Sequence, residues 1–225
     1  MAMLFLSKIA QAQTETPAPE KKEDGAMVRI VSVHNLNGKD ERITLAKKTE
    51  DGKWIEFGDL DLPSPFITEW VRVSTGLNHV ASKNGAELTS LGTFTISPTV
   101  KKAILILLPD VKKKVYRVQL IDPAKLEFRK GKALVINYSS IPALINMGKQ
   151  SKTVDPGKQF IETITADKDG MSPMRIGYHD QDKNIVLCYD RRVTFNPNTR
   201  SFILLFPDPN NGLRAMTLTE FGPFE

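Results

Sequence analysis

The run from Ile104 to Asp110 reads ILILLPD, and the run from Phe202 to Asp208 reads FILLFPD. A strand with one face in water alternates apolar and polar side chains; neither run does, so each is expected to be a central strand covered on both faces. Proline then ends the hydrogen-bond ladder because it has no N–H, and aspartate enters the turn. A chain that holds this element twice needs two cores and a cover for the outer side of each copy. The sister copy is the natural cover.

The likeness extends beyond the two runs. FTISPTVKKAILILLPDVKKKVYRVQLID aligns with VTFNPNTRSFILLFPDPNNGLRAMTLTE, with Thr95 over Thr194 and, after a one-residue slip, Pro109-Asp110 over Pro207-Asp208. The loops PDVKKK and PDPNNG have equal length, which sets Val115 over Leu213, Val118 over Met216 and Leu120 over Leu218. Upstream, PFITEW matches QFIETI, VRVSTG matches MRIGYH with Arg72 over Arg175, and MVRIVSVHN matches KALVINYSS. An ordered series of matches predicts an internal duplication with a repeat of roughly 100 residues.

Each copy reads as β. MVRIVSVH, KWIEF, EWVRVS and VYRVQL approach a period of two, and NGK, EDGK, KNGAE and DKDG mark tight turns. DPGK at 155–158 sets Pro and Gly at the centre of a type II turn. No stretch after residue 25 keeps a helical apolar face. The expected fold is all-β: two tandem antiparallel Ig-like β-sandwich domains related by internal duplication, spanning 26–122 and 123–225. KLEF, at 125–128, is expected as a short opening strand of the second domain. The brief linker implies that the domains touch.

The N-terminal stretch differs. Residues 1–12 are mostly apolar and end in the Ala10-x-Ala12 pattern of a signal-peptidase site, so they read as the remnant of a signal peptide. Residues 13–25 are polar and read as a flexible lead-in. A periplasmic or secreted location follows; an intact Met1 would mean a cytoplasmic one. No other apolar run approaches the ~18 residues of a membrane span, so no transmembrane segment is expected in the mature chain.

Chemistry-bearing patterns are sparse. His34, His79 and His179 share no metal-ligand spacing, and ADKDG at 166–170 lacks the later ligands of a calcium loop. Cys188, the single cysteine, lies in a strand-like run. Trp54 and Trp70 fit packing positions. No nucleophile elbow or phosphate-binding glycine loop occurs. No catalytic, cofactor-binding or metal site is therefore expected, and the chain is not read as an enzyme.

Positive charge is concentrated in one region. The net charge is +5, and residues 101 to 132 hold ten Lys or Arg against three acids. The candidate contacts for an anionic partner are Lys101, Lys102, Lys112, Lys113, Lys114, Arg117, Arg129 and Lys130. Flanking lysines also guard an apolar strand against edge-to-edge association. Few aromatics are interleaved, so nucleic acid is not the expected partner.

The segments FRKGKALVINYSSIPALINMGKQSKTVDPGKQF and RSFILLFPDP resemble uncharacterised exported bacterial proteins of tandem β-sandwich type, of Verrucomicrobia-like and Planctomycetes-like origin. That resemblance implies export and fold, and carries over no active site. The expectation is a non-catalytic exported structural or protein-interaction module of the cell envelope, its partner another envelope protein. The alternative is a binding module for an anionic or carbohydrate polymer, through the region from Lys101 to Lys132.

Overall fold

The computed structural model describes residues 25–36, 41–62, 66–208, 212–222 and 224. The stretches expected to be a signal remnant and most of the lead-in lie outside them. The first unit holds β1 (Gly25–Ser32), β2 (Glu41–Lys48), β3 (Trp54–Leu62), β4 (Phe66–Ile67), β5 (Val71–Ser74), β6 (Gly76–Asn84), β7 (Glu87–Ile96), β8 (Lys102–Asp110) and β9 (Val115–Ile121). The second holds β10 (Lys132–Asn137), β11 (Ala143–Met147), β12 (Gln150–Val154), β13 (Gln159–Thr163), β14 (Met171–His179), β15 (Ile185–Thr194), β16 (Thr199–Pro207) and β17 (Leu213–Phe221). No helix among the described residues is long and apolar enough to cross a membrane.

The two units repeat one topology. In the first, an inner sheet runs β4-β1-β8-β9, with β5 also on β1, and an outer sheet runs β3-β2-β6-β7. In the second, the inner sheet is β13-β10-β16-β17 and the outer is β12-β11-β14-β15. The fold is two tandem β-sandwiches from one duplicated plan. Pairing is antiparallel with one exception per unit: β1 runs parallel to β8, and β10 to β16. The antiparallel expectation therefore needs that amendment. The parallel pairs join the first strand of each unit to its next-to-last, a contact between strands far apart in sequence that local turn signals cannot announce.

The apolar runs are β8 and β16, and both of their faces are covered. Leu105 and Leu107 face the first sandwich core with Val28, Ile30 and Ile43. Ile203 and Leu205 face the second with Val135, Ile145 and Ile176. Their opposite faces meet: Ile104, Ile106 and Leu108 pack with Phe202, Leu204 and Phe206 in one buried cluster, together with Val31, Val33, Leu134 and Ile136. The inner sheets thus lie face to face, giving four stacked layers with a third core between the units. Each copy covers the other.

Register corrects three details of the repeat. Leu108 pairs with Arg117, whereas Phe206, its equivalent, pairs with Arg214. The last strands are therefore shifted by one residue against the equal-loop alignment: Tyr116, not Val115, takes the place of Leu213, and both point into their own sandwich cores. A one-residue slip exchanges the faces of a strand, so Val118 and Met216 are not equivalent. Second, β5 lies in the inner sheet beside β1, while β14 lies in an outer sheet opposite β11, so Arg72 and Arg175 are not equivalent; the counterpart of β14 is β6. Third, Lys125–Phe128 forms turns rather than a strand. Asp122 accepts hydrogen bonds from the N–H groups of Ala124 (3.0 Å) and Lys125 (3.2 Å), and Pro123 O accepts one from Phe128 N at 2.8 Å. This compact linker drives Phe128 into the inter-unit core, edge-on to Phe202 at 5.2 Å.

The expected turn at 155–158 forms. Lys158 N donates to Asp155 O at 3.0 Å, and Gly157 sits at φ +71°, the left-handed position that a type II turn requires.

Candidate functional site

At one end of the seam between the inner sheets lies a cavity of about 910 Å³. The start of β8 supplies Lys101 and Lys102, the linker supplies Arg129 and Lys130, and the start of β16 supplies Arg200. Trp70, Phe128 and Phe224 form apolar wall. The one carboxylate of the lining is Asp122, already holding the linker turn. Among the described residues Lys101, Lys102, Arg129 and Lys130 make no ion pair.

Behind the wall, Glu220 is fully buried between two guanidinium groups. Arg200 grips it with two hydrogen bonds of 2.7 Å, from Nε and Nη2, and Arg29 of the other unit donates a third of 2.7 Å. Arg200 also donates to Phe128 O at 3.0 Å and lies over the Phe128 and Phe224 rings. Arg29 lies over Trp70 at 4.4 Å, with Lys102 Nζ 5.5 Å from the same ring. The indole N–H of Trp70 and Nε of Arg29 are buried donors with no acceptor among the described residues. Donors exceed acceptors throughout this end of the seam.

Duplication explains the excess. Counting back from Leu108 and Phe206 sets Lys102 in the position of Arg200. Arg200 pairs across the ladder with Glu220. The matching place beside Lys102, two residues beyond the Ile104–Ile121 pair, falls at Pro123. The cation is present in both copies and the carboxylate in one.

The basic region of the sequence divides in space. Lys101, Lys102, Arg129 and Lys130 surround the cavity. Lys112, Lys113 and Lys114 cap the β8–β9 hairpin at the other end of β8, about 26 Å away at ~3.3 Å per residue. There Asp110 accepts a hydrogen bond from Lys113 N at 3.1 Å, which is the turn role expected of it, and Lys114 has φ +54°. Arg117 lies in β9, 5.9 Å from the Tyr138 ring, where it closes the far end of the seam. Tyr138 donates to Gln119 at 2.6 Å and stacks on Phe206. Opposite, Arg214 contacts His34; burial and that neighbouring charge hold the His34 imidazole below its ordinary value.

The remaining sequence candidates are structural. Asp167 accepts N–H bonds from Met171 and Asp169, both 3.0 Å, which hold its carboxyl below the ordinary value, and it pairs with Arg192. ADKDG is a self-capped turn. His79 meets the edge of Trp54. Cys188 is half-buried in β15, and burial raises its thiol. Sequence reasoning missed Arg200 and the aromatic walls. The repeat alignment held a signal for Arg200, since it sets this residue against the Lys101-Lys102 pair, and the strand register fixes Lys102 as its equivalent; Trp70, Phe128 and Phe224 are brought together by packing alone.

No family model matches the chain, and no curated protein matches it. Among solved structures, the C2A and C2B domains of extended synaptotagmin 2 share 10% identity over 100% of this chain and 99% of that one, with a TM-score of 0.25. A leucine-rich repeat protein from Bacteroides thetaiotaomicron shares 9% identity over 88% of this chain and 25% of that one, with a TM-score of 0.26. At such TM-scores neither likeness bears on function.

Proposed function

We propose that this chain is a non-catalytic, exported binding module of the cell envelope that holds an anionic partner at the seam between its two sandwiches. One observation carries the reading: Lys101, Lys102, Arg129 and Lys130 converge on a single cavity whose lining holds one carboxylate, Asp122, and none of the four makes an ion pair among the described residues. Keeping like charges together costs free energy unless a counter-charge arrives. The carboxylates nearest the cavity have structural duties, Asp122 in the linker turn and Glu220 between two arginines, which supports binding over acid–base chemistry. The shared core between the sandwiches supports a rigid recognition surface rather than a hinge. Export rests on the Ala10-x-Ala12 pattern, and N-terminal sequencing of the native protein tests it: a mature start at Gln13 is expected, and an intact Met1 in the cytosol overturns it.

For binding, the test is retention of the full chain on an immobilised acidic polysaccharide. Retention is expected at low salt and is lost as salt rises, because exposed charges are screened. Replacing Lys101, Arg129 and Lys130 together by Gln should weaken it, while the same change at Lys112, Lys113 and Lys114 should not. Equal weakening by the two triple variants would locate binding away from the seam and end this reading.

A further inference from the structure

Resting on the reading above, we infer that the seam cavity recognises a compact multivalent oxyanion, of the phosphomonoester class, joined to an apolar body. Three features lead there. First, the cations surround a half-open cavity rather than forming a stripe. A polyanion bound along its length needs a continuous track of positive charge, yet the other lysine cluster, at Lys112–Lys114, stands about 26 Å along β8, so the seam takes one charged group of any such chain at a time. Charge focused on one cavity suits a small group with two negative charges and several acceptor oxygens.

Second, the donors differ in kind. Lys101, Lys102 and Lys130 offer ammonium groups and Arg129 a planar fork, so a group with three terminal oxygens can be approached from several sides at once. The Arg200 guanidinium is already committed to Glu220 and Phe128, so it sets the potential of the floor rather than gripping the ligand. The buried N–H of Trp70 and the buried Nε of Arg29 add donor character behind the wall.

Third, much of the lining is apolar: Trp70, Pro123, Ala124, Phe128 and Phe224. A bare ion would leave that surface facing water. The volume, about 910 Å³, is at the upper end of ordinary ligand pockets and holds far more than one phosphate. Arg29 and Lys102 both lie against the Trp70 ring, so this wall offers less open face for a stacked sugar than the indole alone would. A compact apolar group fits it better.

Isothermal titration of the full chain with phenyl phosphate, inorganic phosphate and phenol tests the inference at low salt. Phenyl phosphate is expected to bind saturably, one molecule per chain, and at least about tenfold more tightly than either fragment. Replacing Lys101, Arg129 and Lys130 by Gln should weaken it about tenfold or more, and replacing Lys112, Lys113 and Lys114 should leave it unchanged. These side chains are exposed, so both triple variants are expected to fold, and their melting temperatures verify it. Inorganic phosphate binding as tightly as the phenyl ester overturns the apolar half of the inference. Absence of saturable binding by either phosphate overturns all of it. If the acidic polysaccharide still binds through the seam cations in that case, the wider reading stands and only the ligand class is wrong; if it does not, both fall.

Discussion

Arg29 in the first unit and Glu220 in the second are joined at 2.7 Å across the seam, and the carboxylate is completely buried. Arg200 closes on the same carboxylate from its own unit. A buried carboxylate must recover its lost hydration from such partners. Glu220→Ala would leave two guanidinium groups at the seam without their shared counter-charge. It should cost about 3–5 kcal/mol, seen as a lower urea midpoint. The exposed pair Arg175–Asp190, at 3.1 Å, is the control, and Asp190→Ala should cost under about 1 kcal/mol.

The shared core predicts that the sandwiches unfold together. Both tryptophans belong to the first unit, Trp54 on its outer sheet and Trp70 at the seam, so their fluorescence follows that unit and its contact with the second, while far-ultraviolet circular dichroism follows both units. The two signals should trace one transition. Leu204→Ala, in the second unit but facing the seam, should lower both midpoints equally, by about 2–5 kcal/mol. A fluorescence midpoint that ignores Leu204→Ala would show the units to be independent.

Gly92 lets the edge of the outer sheet close against β9. It lies at a bulge where β6 shifts register against β7, and a Cβ there would stand 2.7 Å from Tyr116 O. Gly92→Val must push β7 off β9. The expected cost is about 1–3 kcal/mol, measured by thermal or urea unfolding. Gly52, whose added Cβ meets nothing within 4 Å, is the contrasting site. There Gly→Ala pays only for its positive φ, roughly 1 kcal/mol.

Alkaline solution should loosen the protein through two phenols, Tyr116 buried and Tyr138 partly buried. Burial first, and then the hydrogen bond to Glu41, raises the Tyr116 hydroxyl above its usual value; burial also raises that of Tyr138. A folded-state value above the unfolded one means that the native state keeps its proton more tightly. This stability is fully present below about pH 10 and is lost as pH climbs through the raised values. Urea midpoints measured from pH 8 upward should fall above about pH 10. Tyr138→Phe should make that fall shallower, at the cost of the 2.6 Å bond to Gln119. An unchanged slope in the variant would mean that Tyr138 does not contribute.

Several levels of this structure are written in the chain itself. The unbroken apolarity of ILILLPD and FILLFPD determined that both strands are covered on both faces, because no alternation remains to give a solvent side. The paired Pro-Asp stops, the turn at 155–158 and the ordered matches around them determined the duplication and the β class, since local sterics and hydrogen-bonding capacity act within a few residues. Tertiary structure alone decided the rest. Parallel pairing of β1 with β8 and of β10 with β16 joins segments far apart in the chain. The one-residue shift of β17 against β9 shows only in the strand registers, and equal loop lengths concealed it. Above all, the basic stretch from Lys101 to Lys132 is continuous in sequence and divided in space, because a nine-residue strand carries its two ends to opposite ends of a sheet. Face-to-face packing of two copies then set Lys101 and Lys102 beside Arg129, Lys130 and the far-off Arg200. Charge content was legible in the chain; charge convergence is a property of the packed sheets.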